Sequence, residues 1–94
     1  MTQPVYRAAS AADLAGPVAL EDFALFYHRP SGATHLLVEP APQILEVLRQ
    51  GPADASVVAA RLALHFGLES EDAIEAVLAE RLRELAGLGL VEVA

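Results

Sequence analysis

The chain offers three histidines and four serines for catalysis or metal binding, and it contains no cysteine. His28 and His35 flank a turn, and they share one face of a hairpin if that turn has an even number of residues. A metal site needs three or four ligands, and no third ligand stands at a suitable spacing. We therefore interpret the two histidines as partly exposed strand residues. The serines stand in turns or at helix starts, at Ser10, Ser31, Ser56 and Ser70. We expect no catalytic residue, metal or cofactor, and hence no enzyme.

Charge narrows the choice of partner. The chain has 13 acidic residues against six arginines and no lysine, for a net charge of −7. Contacts to phosphate need clustered Lys and Arg, so we expect binding neither to nucleic acid nor to an anionic membrane. The acidic run Glu69, Glu71, Asp72 and Glu75 is typical of a helix N-terminus with a solvated face, rather than of a metal site or a site for a basic partner.

Length and hydropathy indicate one domain over residues 1–94. The first residues lack the basic and apolar regions of a secretory signal, and no apolar run is long enough to span a membrane. We therefore expect a cytoplasmic protein.

Two apolar runs around a Pro-Ser-Gly turn predict a β-hairpin. They are Phe23–His28 and Ala33–Glu39. Phe23, Phe26 and Tyr27 are expected in the strand core rather than as a platform for nucleic-acid bases. The preceding segment is expected to be irregular over residues 1–17 and to continue so to Leu20, with room for a short strand near 5–7 or 18–20. Gly16-Pro17 is interpreted as a break.

Three helices follow the hairpin in the prediction. Prolines 40 and 42 are tolerated only in a first turn, so the first helix should start there and run to Gln50. Asp54 should cap a second helix over residues 55–66, which Gly67 closes. Ser70 should cap a third helix that ends at Gly87-Leu88-Gly89, and residues 91–93 allow a terminal strand. The order predicts an α+β, winged helix-turn-helix-like domain in which a small antiparallel sheet precedes three helices.

Arg81 lies in the middle of an apolar stripe on the third helix. At 3.6 residues per turn the stripe contains Ile74, Val77, Leu78, Leu82, Leu85 and Leu88. One interpretation is that the stem of Arg81 packs on the core while its guanidinium reaches water or Glu84. The other is that the stripe lines a groove in which Arg81 meets a carboxylate of a partner.

The order and spacing of several short motifs resemble the PqqD family of peptide chaperones. They include His35-Leu36-Leu37, Ala41, Ile44-Leu45, Leu48, Gly51-Pro52, Leu62, Phe66-Gly67 and the ending Leu85-x-x-Leu88-Gly89-Leu90-Val91-Glu92. The resemblance covers roughly residues 18–92. Leu37-Val38 and Gln50-Gly51 depart from the family's usual Leu-Asn and Asp-Gly. These departures favour the HPr-rel-A branch over the pyrroloquinoline-quinone protein itself.

The resemblance implies a RiPP recognition element, which binds the leader of a precursor peptide and presents it to a modifying enzyme. The HPr-rel-A likeness implies an HPr kinase-related enzyme. The leader would add as a strand beside the hairpin and pack on the third helix. The implied residues are Thr34, His35, Leu36 and Leu37 for main-chain bonds, and Val77, Arg81, Glu84 and Leu88 for the helix side.

The exposed hairpin edge also predicts a homodimer through edge pairing or hairpin exchange. Two other functions stay open. One is a winged-helix DNA-binding transcription regulator, which the acidic stretch 67–73 disfavours. The other is a structural adaptor with no peptide client.

Overall fold

The computed structural model describes residues 3–67 and 75–94. These residues form β1 (Tyr6–Ala8), β2 (Leu14–Leu20), β3 (Phe23–His28), β4 (Ala33–Val38), α1 (Ala41–Arg49), α2 (Ala55–Phe66), α3 (Glu75–Gly87) and β5 (Val91–Val93). Strands β2, β3 and β4 make an antiparallel sheet in that order, and β1 pairs with β5 in a second sheet. The predicted α+β class, with a small antiparallel sheet before three helices, is confirmed.

The predicted hairpin is β3 and β4, joined by the four residues 29–32. Gly32 adopts a left-handed φ of 71°, and the Ser31 hydroxyl accepts a hydrogen bond from the Ala33 amide at 3.2 Å. Because the turn has an even number of residues, His28 and His35 lie on the same face of the sheet.

Local signals set the helix ends as expected. Helix α1 has a proline in its first turn, and the Asp54 carboxylate caps α2 by accepting a hydrogen bond from the Val57 amide at 2.9 Å. Gly67 ends α2 with a left-handed φ of 66°. The predicted cap at Ser70, the acidic residues 69, 71 and 72, and Ile74 lie outside the described residues.

The expectation of an irregular segment over residues 1–17, extending to Leu20, is wrong for its second half. Strand β1 matches the short strand allowed near residues 5–7, but the seven-residue β2 was not expected, and it pairs with β3. Gly16-Pro17 does not break this strand. It forms an irregularity at which the register shifts between Ala15 and Val18. A side chain at residue 16 would place its Cβ 2.7 Å from the Leu25 carbonyl oxygen, so glycine permits the close approach that local breaker rules do not anticipate.

The core lies between one face of the three-stranded sheet and the three helices. Leu14, Phe26 and Leu37 from the sheet are buried against residues of all three helices. Side chains alternate between the two faces of a strand, so Phe23 and Tyr27 lie on the other face and are each 43% exposed. The prediction that all three aromatic residues of β3 belong to the core therefore holds for Phe26 alone.

The two ends of the described chain are paired. Tyr6 lies opposite Val93 in the β1–β5 ladder, and the Ala94 amide donates a hydrogen bond to the Val5 carbonyl at 2.7 Å. Tyr6 also exchanges two main-chain hydrogen bonds with Ala53, each of 2.9 Å. The terminal strand allowed by the sequence is therefore present, and its partner is the short strand that the sequence allowed near residues 5–7.

In residues 3–67 and 75–94, every helix falls short of the length and apolar character needed to cross a bilayer.

Alanine substitutions at two glycines with positive φ test the packing at the β2 irregularity. Gly16→Ala should lower the free energy of unfolding by about 3 kcal/mol, because it combines an unfavourable φ with a clash against strand β3. Gly32→Ala is the control. Its φ is also positive, but no atom of residues 3–67 and 75–94 lies within 4 Å of the added Cβ, so a loss of about 1 kcal/mol is expected. Urea unfolding measures both values, and equal losses would contradict the close approach at Gly16.

Candidate functional site

An open groove of about 320 Å³ separates the end of β4 from the second half of α3. Its lining residues come from one stretch of chain on the strand side and from one helix on the other. They are Leu36 to Ala41, with Arg81, Glu84, Leu85 and Leu88. The groove therefore combines a strand edge with a helix face, which is the setting in which an extended peptide binds by strand addition.

Strand β4 is a regular edge of its sheet. It pairs with β3 over all six residues, and no strand of the described residues pairs with its other side. The opposite edge, β2, is interrupted at Gly16-Pro17, and its Gly16 carbonyl already accepts a hydrogen bond from Arg49 at 3.3 Å. Proline and bulges are features that block pairing at an edge. Strand addition is therefore favoured at β4.

The sheet register determines which main-chain groups of β4 are free. Leu20 and Phe23 face each other across a two-residue turn, so they form the hydrogen-bonded pair that closes this hairpin. The groups of β3 then alternate, and those of residues 24, 26 and 28 point towards β4. Hence the main-chain groups of His35 and Leu37 pair with β3, and those of Thr34, Leu36 and Val38 face the free edge.

Of the two leucines of α3 that line the groove, Leu85 is almost fully buried and Leu88 is 45% exposed. Arg81 and Glu84 form the rim and are joined by an ion pair of 3.1 Å in which both side chains are about half exposed. An exposed pair of this kind contributes only about 0.3–0.5 kcal/mol. A ligand carboxylate can therefore replace Glu84 at the guanidinium at little cost.

The structure brings five of the eight predicted residues together in this groove: Leu36, Leu37, Arg81, Glu84 and Leu88. Thr34 stands at the same edge but beyond the groove, and Val77 is half-buried on α3 outside the lining. His35 points to the helix side of the sheet, where its Nε2 is buried and has no hydrogen-bond partner among the described residues. The expected use of the His35 and Leu37 main chain by a ligand does not fit the register, because those groups pair with β3.

Four lining residues were not among the predicted site residues: Val38, Glu39, Pro40 and Ala41. Val38 and Glu39 belong to the strand predicted to border the site. Pro40 and Ala41 were assigned to a helix start, and Leu85 to the core stripe alone. The signal that could have located them is their position: the last strand residues run directly into α1, so this corner must lie beside the end of β4.

His28 and His35 are not joined by a third possible metal ligand in the part of the chain that the structure describes. His28 Nδ1 lies 2.7 Å from the Ser31 hydroxyl, and the described residues contain no group of three or more His, Cys, Asp or Glu placed to hold a metal ion.

Comparison with protein-family models, curated proteins and solved structures finds no match for this chain. The resemblance to the PqqD family therefore stays a prediction.

Paired proline substitutions test the orientation of β4. Thr34→Pro should leave the fold intact, because the lost N–H faces the free edge and donates to no strand. His35→Pro should destabilise the domain by about 3 kcal/mol or more, because it removes a hydrogen bond of the β3–β4 ladder. Thermal unfolding followed by circular dichroism distinguishes them. Equal damage by both prolines, or greater damage at Thr34, would contradict the assigned orientation.

Proposed function

We propose that this domain is a non-catalytic peptide-binding module, which takes up an extended segment of a partner as a further strand beside β4 and holds its side chains against α3. The observation that carries the proposal is the regular, unpaired edge of β4 beside an apolar groove lined by α3. Main-chain hydrogen bonds would supply affinity, and the groove would supply specificity.

The edge suits a short extended peptide. Six strand residues span about 20 Å, and three of them present main-chain groups outward. Alternate side chains of an added strand point to the same face. Those on the helix side would meet Leu85 and Leu88, so apolar residues at every second position of the ligand are favoured.

Arg81 would select an acidic residue in that peptide. It is the one basic residue among the described residues that line the groove. A hydrogen bond to a charged group contributes about 1.5–3 kcal/mol, which exceeds the contribution of the exposed Arg81–Glu84 pair that it would replace. Glu84 and Glu39 would repel further carboxylates of the ligand. A peptide with one acidic residue beside Arg81 is therefore favoured over a peptide with several in a row.

The PqqD resemblance suggests which peptide would bind here and which protein would receive the complex. They would be the leader of a precursor peptide and a modifying enzyme, an HPr kinase-related one in the HPr-rel-A case. In this scheme the domain delivers the peptide and the partner enzyme carries out the chemistry.

A DNA-reading role has weaker support. The described part of α3 has two arginines, Arg81 and Arg83, and each forms an ion pair with a glutamate on the same helix. Together with the net charge of −7, this arrangement opposes contacts to phosphate.

Hydrogen exchange tests strand addition directly. The probe is a 12-residue peptide selected on the domain from a random display library. Its binding should slow exchange of the Thr34, Leu36 and Val38 amides by roughly tenfold or more, because they gain acceptors. The His35 and Leu37 amides, already paired with β3, should change little. Binding without protection of the edge amides would contradict strand addition.

Arginine substitutions on α3 test the groove. Arg81→Ala should weaken binding of the selected peptide roughly tenfold, since about 1.4 kcal/mol corresponds to one decade. Arg83→Ala is the matched control. It lies on the same helix, is also exposed, and is paired with Glu80, whose carboxylate raises the pKa of Arg83 through a hydrogen bond. Calorimetry should show no change for Arg83→Ala.

A third variant completes this series. Glu84→Gln should tighten binding of a peptide that carries a carboxylate, because it frees Arg81 and removes a repelling charge. The groove assignment is wrong if folded Arg81→Ala binds as tightly as the parent, or if Arg81→Ala and Arg83→Ala weaken binding equally.

A further inference from the structure

The face of the β2–β3–β4 sheet that points away from the helices is apolar. The register places Leu20, Phe23 and Val38 in one row across the strands, Val18, Leu25 and Leu36 in the next, and Ala15, Tyr27 and Thr34 in the third. An antiparallel sheet with one face on the core usually presents polar residues on the other. Thr34 and the Tyr27 hydroxyl are the only polar side-chain groups in these rows.

This outer face is large for a surface left in water. Six of its side chains are between 43% and 57% exposed: Val18, Leu20, Phe23, Tyr27, Leu36 and Val38. Half-exposed side chains of this size present on the order of 600 Å² together. The largest apolar patch of a typical monomer measures about 300–600 Å², and patches of that size often have a function. The outer face is therefore a candidate docking surface.

Its area is sufficient for a dimer. Two such faces packed on each other would remove about 1,200 Å² from water, which reaches the lower bound for a specific and stable interface. The three rows contain no charged residue, so the contact would bury none of the charged side chains that give the chain its net charge of −7.

The charges at the two ends of the sheet favour a second copy of this chain over an unrelated partner. Glu21 and Asp22 occupy the β2–β3 turn, and Arg29 occupies the β3–β4 turn at the opposite end of β3. None of the three forms an ion pair within residues 3–67 and 75–94. Asp13 also lies at the Arg29 end, where its carbonyl accepts a hydrogen bond from the Arg29 amide at 2.8 Å.

We propose that the outer face of the β2–β3–β4 sheet packs on the same face of a second copy, with the β3 strands of the two copies antiparallel. A two-fold axis lying between the sheets makes the contact self-complementary. It places Arg29 of each copy over the Glu21–Asp22 turn of the other, and aligned sheets pack in this way at about 10 Å.

This dimer differs from the one expected from edge pairing, because it leaves the main-chain groups of the β4 edge free. It shares Leu36 and Val38 with the groove lining, while Arg81, Glu84, Leu85 and Leu88 lie outside the contact. It does not depend on the proposed function, since neither Arg81 nor the free main-chain groups of β4 take part. Two peptide sites, one on each copy, would remain accessible.

Sedimentation of the full chain from micromolar to millimolar concentration tests the proposal. The parent should dimerise, and Val18→Glu should raise the dimer dissociation constant roughly a hundredfold or more, because it places a carboxylate in an apolar contact. Val93→Glu is the matched control, a 62% exposed strand valine outside this face, and should leave the constant unchanged. Spectra that overlay with the parent confirm that both variants fold.

Charge exchange tests the antiparallel arrangement. Arg29→Glu alone and Glu21→Arg with Asp22→Arg should each weaken the dimer, and an equimolar mixture of the two variants should restore it as a heterodimer. A mixture that stays dissociated overturns the arrangement. The proposal is overturned if the parent is monomeric at millimolar concentration, or if Val18→Glu and Val93→Glu have equal effects.

Discussion

The alternation of main-chain groups along β3 is the constraint on which the rest of this domain depends. Because the β2–β3 turn has two residues, the main-chain groups of Phe23 bond to β2. The main-chain groups of β3 alternate in direction, so those of residues 24, 26 and 28 bond to β4. That choice leaves the main chain of Thr34, Leu36 and Val38 at the free edge. It also decides which side chains face the helices. If this turn had one residue fewer, the side chains of β3 would exchange the two faces of the sheet, and both the core and the groove would be lost.

Neighbouring residues of helix α3 contribute to the core and to the groove. Leu78, Leu82 and Leu85 are buried, and this stripe fixes the rotation of the helix about its own axis. Arg81 and Glu84 are then held at the margin of the buried stripe, where their charged groups stay in water. The rim of the groove is thus positioned by packing that is required for folding, and the turn residues Glu39 and Pro40 complete the lining.

Sequence rules located the helices well because their ends depend on single residues, such as Pro42, Asp54 and Gly67. They failed at β2, because Gly16-Pro17 is tolerated through a contact with strand β3 that is distant in sequence. The Arg81 side of the groove could be predicted from helical periodicity. The orientation of the β4 main chain could not, because it follows from the turn at the far end of β3. Phe23 and Tyr27 were expected in the core, since apolar residues alone do not reveal whether the second face of a sheet is covered.

The pairing of β1 with β5 has a mechanical consequence. Because Tyr6 lies opposite Val93 in an antiparallel ladder, the chain enters and leaves this ladder at the same end. A force that pulls the two ends apart therefore loads the hydrogen bonds one pair at a time, as in a zipper, instead of all together in shear. Three residue pairs loaded in sequence resist little tension. The domain should thus yield first at this ladder when it is stretched between two anchored neighbours, while the β2–β3–β4 sheet is spared.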